Sequence, residues 1–271
     1  MDRFQFCAGL LGGAALAALP LAAFSQAAPT QRLDAVQATN MAGRLRMLSQ
    51  RITKAYLQWG QSIAPDNARK LLQDSITQYE AHLAALKTFQ PNAAVQASLA
   101  QLHTFWAQFK ALLAGEPTRS GANALYDANE TLLSAAHYLT ISYANNSGAP
   151  LEHLIALAGR QRMLSQRMAK FYFYRTWELY EAAADMERHL SRAHFTAVLT
   201  QLETSAHASA AAQAAARRLR EAWEPYQQAL FASKETAAMR AGAGRVAEGS
   251  ERVLAAAEEV VAQLLAQGKT R

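Results

Sequence analysis

The sequence holds one cysteine, Cys7, among 271 residues. An intrachain disulfide, a cysteine-built metal site and a c-type haem attachment are therefore excluded. Prolines number seven and glycines 13, and no stretch alternates polar and apolar residues over the length of a strand. A β fold is accordingly not expected. The catalytic signatures are also missing. There is no HExxH, no Glu-x-x-His pair of a di-iron bundle, no glycine-rich phosphate loop and no nucleophile elbow. The seven histidines, at 82, 103, 137, 153, 189, 194 and 207, show no metal-ligand spacing. No catalytic residue, metal site or cofactor is expected. Beyond Phe24 no apolar run is long enough to cross a bilayer.

What is present favours helix. The chain is 51% hydrophobic and rich in Ala and Leu. Its first residues read as a secretory signal peptide over 1–27, with Arg3, an apolar run from Cys7 to Phe24 and a small-x-small site at Ser25-Gln26-Ala27. The mature chain is then expected to be exported, periplasmic and free of a membrane span. A net charge of +6 in an exported protein points away from nucleic acid and toward a small anion or an acidic partner surface.

The most informative feature is a 15-residue motif that occurs twice. Residues 42–56 and 158–172 differ only at Leu45/Gln161, Ile52/Met168, Thr53/Ala169 and Ala55/Phe171. The shared set includes a helix-interior glycine, three arginines, a Ser-Gln pair and a lysine. Core packing tolerates apolar exchange, so retained polar residues argue for one job done twice. Leu102, Trp106 and Phe109 precede Leu219, Trp223 and Tyr226 at a similar offset. Residues 129–133 resemble residues 250–254 at a slightly larger one. So long a period indicates a duplicated domain.

The expected fold is all-α, with two tandem four-helix-bundle-type units related by internal duplication, over residues 28–147 and 148–271. Helices are predicted near 33–62, 66–89, 92–115 and 119–146, then near 150–182, 185–205, 207–233 and 235–267. Pro65-Asp66-Asn67, Gln90-Pro91-Asn92 and Gly115-Glu116-Pro117 break the first unit. Asn145 to Pro150 is either a linker or a kink in one long helix.

Leu45, Leu48, Ile52, Tyr56 and Trp59 share one face and should enter a bundle core. The aromatic run Phe171 to Tyr174 with Trp177 reads as packing. Gly43, Arg46, Met47, Gln50 and Lys54 form a second face, matched by Gly159, Arg162, Met163, Gln166 and Lys170. If the motif helices pack about a pseudo-twofold axis, the glycines permit close approach and Arg46 meets Arg162. Two guanidinium groups about 4 Å apart repel by roughly 4 kcal/mol at an effective dielectric of 20. A planar anion between them converts repulsion into attraction. Should the units stack end to end, each would need its counterpart from a second chain.

Thr39 to Arg51 resembles the "IN-x-AG-xx-RM-x-S-x-R" box of exported helical sensor domains, found in nitrate/nitrite sensor kinases and in the N-terminal region of type IV pilus methyl-accepting chemotaxis transducers. Leu157 to Arg167 is most similar to the pilus-transducer version. In the kinases the resemblance implies one nitrate held between two boxes. Carried over by motif position, the contacts are Gly43 and Arg46 with Gly159 and Arg162, and Met47, Gln50, Met163 and Gln166 lie along the same face. The second copy departs from the box at Ala156, where the first has Asn40.

The resemblance implies a periplasmic sensory protein that binds nitrate or nitrite. It would report to a membrane-bound sensor, chemoreceptor or transporter, as a pseudo-twofold monomer or a dimer. The alternative is an interaction module of a chemoreceptor or pilus system with no small ligand.

Overall fold

The first helix starts at a capping box. The Asp34 carboxylate accepts from the Gln37 amide at 2.7 Å, and the Gln37 side chain accepts from the Asp34 amide. The computed structural model describes residues 33–144 and 150–269. The leader at 1–27 and the linker at 145–149 lie outside the described residues. Among the described residues the chain is all-helical. It runs α1 (Ala35–Gly60), α2 (Pro65–Leu86), α3 (Ala93–Ala111), α4 (Arg119–Ala144), α5 (Pro150–Thr176), α6 (Glu181–Thr204), α7 (Ala210–Phe231) and α8 (Thr236–Lys269). No described helix is long and apolar enough to cross a membrane.

Local chemistry sets most boundaries. Asn92 and Ser209 cap α3 and α7 by accepting from the amides of Val95 and Ala212. Pro65 opens α2, where its missing N–H costs nothing. One expected boundary is corrected. The fifth helix ends at Thr176 and not near 182, because Glu178 and Tyr180 adopt positive φ. The same turn closes α1, through Ser62 and Ala64. The amides of Ile63 and Leu179 bond the carbonyls of Gln58 and Tyr174 in the same pattern. The second turn has neither glycine nor proline to announce it.

α1 packs against α2 and α4, and α4 against α3. α5 packs against α6 and α8, and α7 against both of those. The two four-helix groups meet along α1 and α5. These helices run parallel and side by side, since Asn40 meets Arg162 and, further along both, Gln61 meets Thr176.

The stripe expected to enter the core does so, with Leu45, Leu48, Ile52 and Tyr56 buried and Trp59 half-buried. Phe171 to Tyr174 are buried as expected. Each group has a stacked aromatic pair in its own core, Tyr79 on Trp106 at 4.0 Å and Phe195 on Trp223 at 4.2 Å. Such a stack adds about 1 kcal/mol to the area it buries.

Candidate anion site

α1 and α5 are each covered by their own group on one side and by each other on the other. Their polar motif residues are therefore interior, and burial demands partners for them. Ser49 and Ser165 donate to the carbonyls of Arg46 and Arg162, both at 2.8 Å. Gln50 Nε2 donates to Asn129 Oδ1 at 2.9 Å on α4, and Gln166 Nε2 to the Ser250 carbonyl at 2.9 Å on α8. Of the expected site residues, these two glutamines brace the motif helices. Met47 is packed in the core, and Met163 lines an open cleft.

The lysines and outer arginines cross between the two groups. Lys54 Nζ donates to Glu251 at 2.5 Å and Ser250 Oγ at 2.9 Å. Lys170 Nζ donates to Glu130 at 2.6 Å and Asn129 Oδ1 at 2.8 Å. Arg51 Nε reaches Glu251 at 3.1 Å, and Arg167 Nη1 reaches Glu130 at 2.9 Å. Thus α1 is tied to α8 and α5 to α4 by matching clusters. Burial alone would raise the Glu251 pKa, but Lys54 and Arg51 overcome it and hold the carboxyl down at about 2. Glu130 is likewise held below the ordinary value by Lys170 and Arg167 against the effect of burial.

The two central arginines come together as expected, but in unequal surroundings. Both are buried, with Arg46 7% and Arg162 1% exposed. A Cβ built on Gly43 would lie 3.5 Å from Nη2 of Arg46 and 3.5 Å from Nη2 of Arg162. On Gly159 it would lie 3.2 Å from Arg162 Nη2. Guanidinium nitrogens, and not the neighbouring backbone, are what a Cβ at either glycine would meet, in ordinary contact at Gly43 and more tightly at Gly159.

Arg162 Nη1 donates to Glu258 Oε2 at 3.0 Å, and its Nη2 donates to Asn40 Oδ1 at 2.8 Å. The same Glu258 oxygen accepts from Arg44 Nη2 at 2.7 Å. Arg46 has no such partner. Its Nη1 donates to His137 Nδ1 at 3.2 Å. Because arginine has no acceptor, this bond requires a neutral ring protonated on Nε2. Burial, then the charges of Arg46 and Arg160, push the His137 pKa down.

The buried cations among the described residues are Arg46, Lys54, Arg162, Lys170 and Arg188, and all but Arg46 contact a carboxylate. Burial, with Arg162 and Arg160 nearby, brings the Arg46 pKa down to about 10. It remains a cation at neutral pH. The buried Nε of Arg46 makes no hydrogen bond.

Arg46 opens onto a cleft of about 340 Å³ between α4, α5 and α6. His137, Arg160, Met163, Arg167 and His194 also line it, with one carboxylate, Glu187, that Arg167 holds at 2.9 Å. Arg160 is exposed and lies 3.5 Å from His194 Nδ1. This collection can hold negative charge. No group of His, Cys, Asp and Glu that could hold a metal occurs among the described residues.

Sequence reasoning missed His137, Arg160, Glu130, Glu251 and Glu258. The glutamates at 130 and 251 had a signal, since each lies in the second repeated segment. His137 had none, because it matches no motif.

Comparison with curated proteins and with solved structures returned no match. The second copy of the box, at 158–172, lies beyond the segment that a family model covers. Residues 29–131, a segment that reaches into α4, match the type IV pili methyl-accepting chemotaxis transducer N-terminal domain, a sensory family to which this part of the chain is similar.

Proposed function

We propose that the protein is a periplasmic sensory binding protein that captures a small planar oxyanion, nitrate or nitrite, on its paired motif arginines. It then conveys occupancy to a membrane-bound sensor, chemoreceptor or transporter. The observation that carries this reading is Arg46, a buried guanidinium that contacts no carboxylate and faces a cleft whose lining carboxylate, Glu187, is held by Arg167. An uncompensated buried charge is costly. An anion on its fork of donors supplies the missing charge and satisfies the planar geometry. The chemoreceptor kinship of residues 29–131 supports the sensory part.

The two copies of the box, the matching turns and the matching lysine clusters support duplication of one sensor unit, with α1 and α5 standing where two subunits would otherwise meet. Binding at Arg46, next to their shared seam, biases the relative position of the two helices. That is how occupancy becomes a signal.

Tyr138 and Met186, 62% and 63% exposed, favour a second reading in which the chain is a docking module with no small ligand. Calorimetric titration with nitrate, nitrite and chloride at fixed pH and ionic strength separates the two. Saturable binding of nitrate or nitrite, absent with chloride and lost in Arg46→Ala, supports the sensor. No heat and an unshifted melting temperature with all three anions leaves the docking module.

A further inference from the structure

We infer that the anion binds on one side only of the α1/α5 seam, against Arg46, Arg160 and His137, because the matching place on the other side is already filled by the chain's own carboxylate, Glu258. This rests on the anion-binding reading above and fixes its stoichiometry at one per chain.

The argument is a comparison of two clusters. Glu251 on α8 and Glu130 on α4 play the same part, each clamping the motif lysine and arginine of the opposite group. Two helical turns onward from Glu251 stands Glu258, and two turns onward from Glu130 stands His137. Glu258 contacts Arg162 from α5 and Arg44 from α1. His137 contacts Arg46 from α1, and Arg160 from α5 lines the same cleft, with its Nη2 3.5 Å from His194 Nδ1. In the motif register Arg44 matches Arg160, and Arg46 matches Arg162.

The two clusters are thus the same construction, with glutamate in one and neutral histidine in the other. The first holds two guanidinium groups and one carboxylate. The second holds two guanidinium groups and no carboxylate bonded to either, since Glu187 in the same cleft is held by Arg167. It also opens onto the cleft, through which a solute can enter. Glu258 shows what the pair accepts: its Oε2 receives hydrogen bonds from both arginines at once. The free ligand that reproduces this is a monoanion with the planar oxygen fork of a carboxylate, nitrate or nitrite.

Asn40 strengthens the asymmetry. It caps the second Nη of Arg162 at 2.8 Å. Its counterpart Ala156 offers Arg46 no polar atom. Both arginines leave a buried Nε unbonded, but the protein bonds both Nη atoms of Arg162, whereas Arg46 has a bond only at Nη1, to His137.

The test is to exchange the two residues. The full chain and its His137→Glu and Glu258→His variants are titrated with sodium nitrate, sodium nitrite and sodium acetate, and melted without added anion. The wild type should bind at least one of these anions at one per chain. His137→Glu should weaken that binding at least tenfold and melt no lower than the wild type, since the new carboxylate pairs with Arg46 and Arg160. Glu258→His should melt lower without anion, recover with it, and bind two per chain.

A wild type that binds one anion, with His137→Glu retaining full affinity, overturns the one-sided site and leaves the sensory reading standing. A Glu258→His protein that folds and still binds only one does the same. A wild type that binds none of the three overturns both.

Discussion

Asn40 on α1 accepts a hydrogen bond from Arg162 Nη2 on α5 at 2.8 Å, and this bond joins the two motif helices. Arg162 is 1% exposed, so the lost acceptor cannot be replaced freely by water. Hydrogen bonds to charged groups contribute about 1.5–3 kcal/mol. Asn40→Ala should therefore lower the unfolding free energy by about 2 kcal/mol in urea denaturation. A change below about 0.5 kcal/mol, the scale of an ordinary surface substitution, would mean that Glu258 alone satisfies Arg162.

The lysine clusters are predicted to hold the two groups together. Lys54 is fully buried, and Glu251 is the carboxylate that compensates it. Removing one partner of a buried pair costs about 3–5 kcal/mol, and removing both in favour of apolar groups can be neutral. Because Glu251 keeps a 32% exposed side chain, Glu251→Ala should cost about 3 kcal/mol, the low end of that range. Lys54→Met with Glu251→Leu should recover most of the loss, as read from a double-mutant cycle. Strict additivity of the two single changes would show that the pair is not coupled.

Much of this arrangement was legible in the motif itself. The spacing of Leu45, Leu48 and Ile52 placed one face in a core, and the twinned Arg46 and Arg162 pointed to two guanidinium groups that the fold buries close together. Glu130 and Glu251 stood in a recognisable repeat, but nothing in a one-dimensional pattern says that each reaches a lysine of the other group. The end of α5 was hidden because Trp177 to Tyr180 contains no residue that favours positive φ. The correspondence of His137 with Glu258 was hidden for another reason. The register that pairs Glu130 with Glu251 also pairs His137 with Glu258, but the two residues are unlike and lie beyond the repeated segment, so only their arginine partners reveal the match.

Gly60 and Gly244 should respond to alanine in opposite directions. A Cβ on Gly60 would lie 2.3 Å from Cη2 of Trp177 and 2.9 Å from Cβ of Pro117. Relieving that overlap requires the α1/α5 junction to shift, at a cost of about 1–3 kcal/mol. Gly244 is an exposed helical position, and a methyl group added there would meet nothing within 4 Å. There Gly244→Ala should stabilise by up to about 1 kcal/mol through helix propensity. Thermal melts of both variants check the pair, and a neutral Gly60→Ala would count against the close contact with Trp177.

Acid should weaken the fold in two stages. His137 and His82 have pKa values pushed below their ordinary 6.5, first by burial and then by neighbouring arginines. A histidine depressed in the folded state contributes stability that is complete above 6.5 and declines below it, because the unfolded chain takes up the proton first. Glu251 is held at about 2, and Glu258 and Glu130 are held below the ordinary 4.5, by cations that overcome the opposing effect of burial. Their contribution is complete above 4.5 and is lost as the pH falls from there toward 2. Both stages have the same sign, so the melting temperature should fall from about pH 8 to about pH 5.5 and fall more steeply by about pH 3.5. Glu251→Gln should flatten the lower stage and leave the upper one in place. His137→Gln should do the reverse. A melting temperature that stays level between about pH 5 and about pH 3 would show that these carboxylates are not ionised partners of Lys54, Lys170 and Arg162. The tie between α1 and α8 would then rest on packing alone.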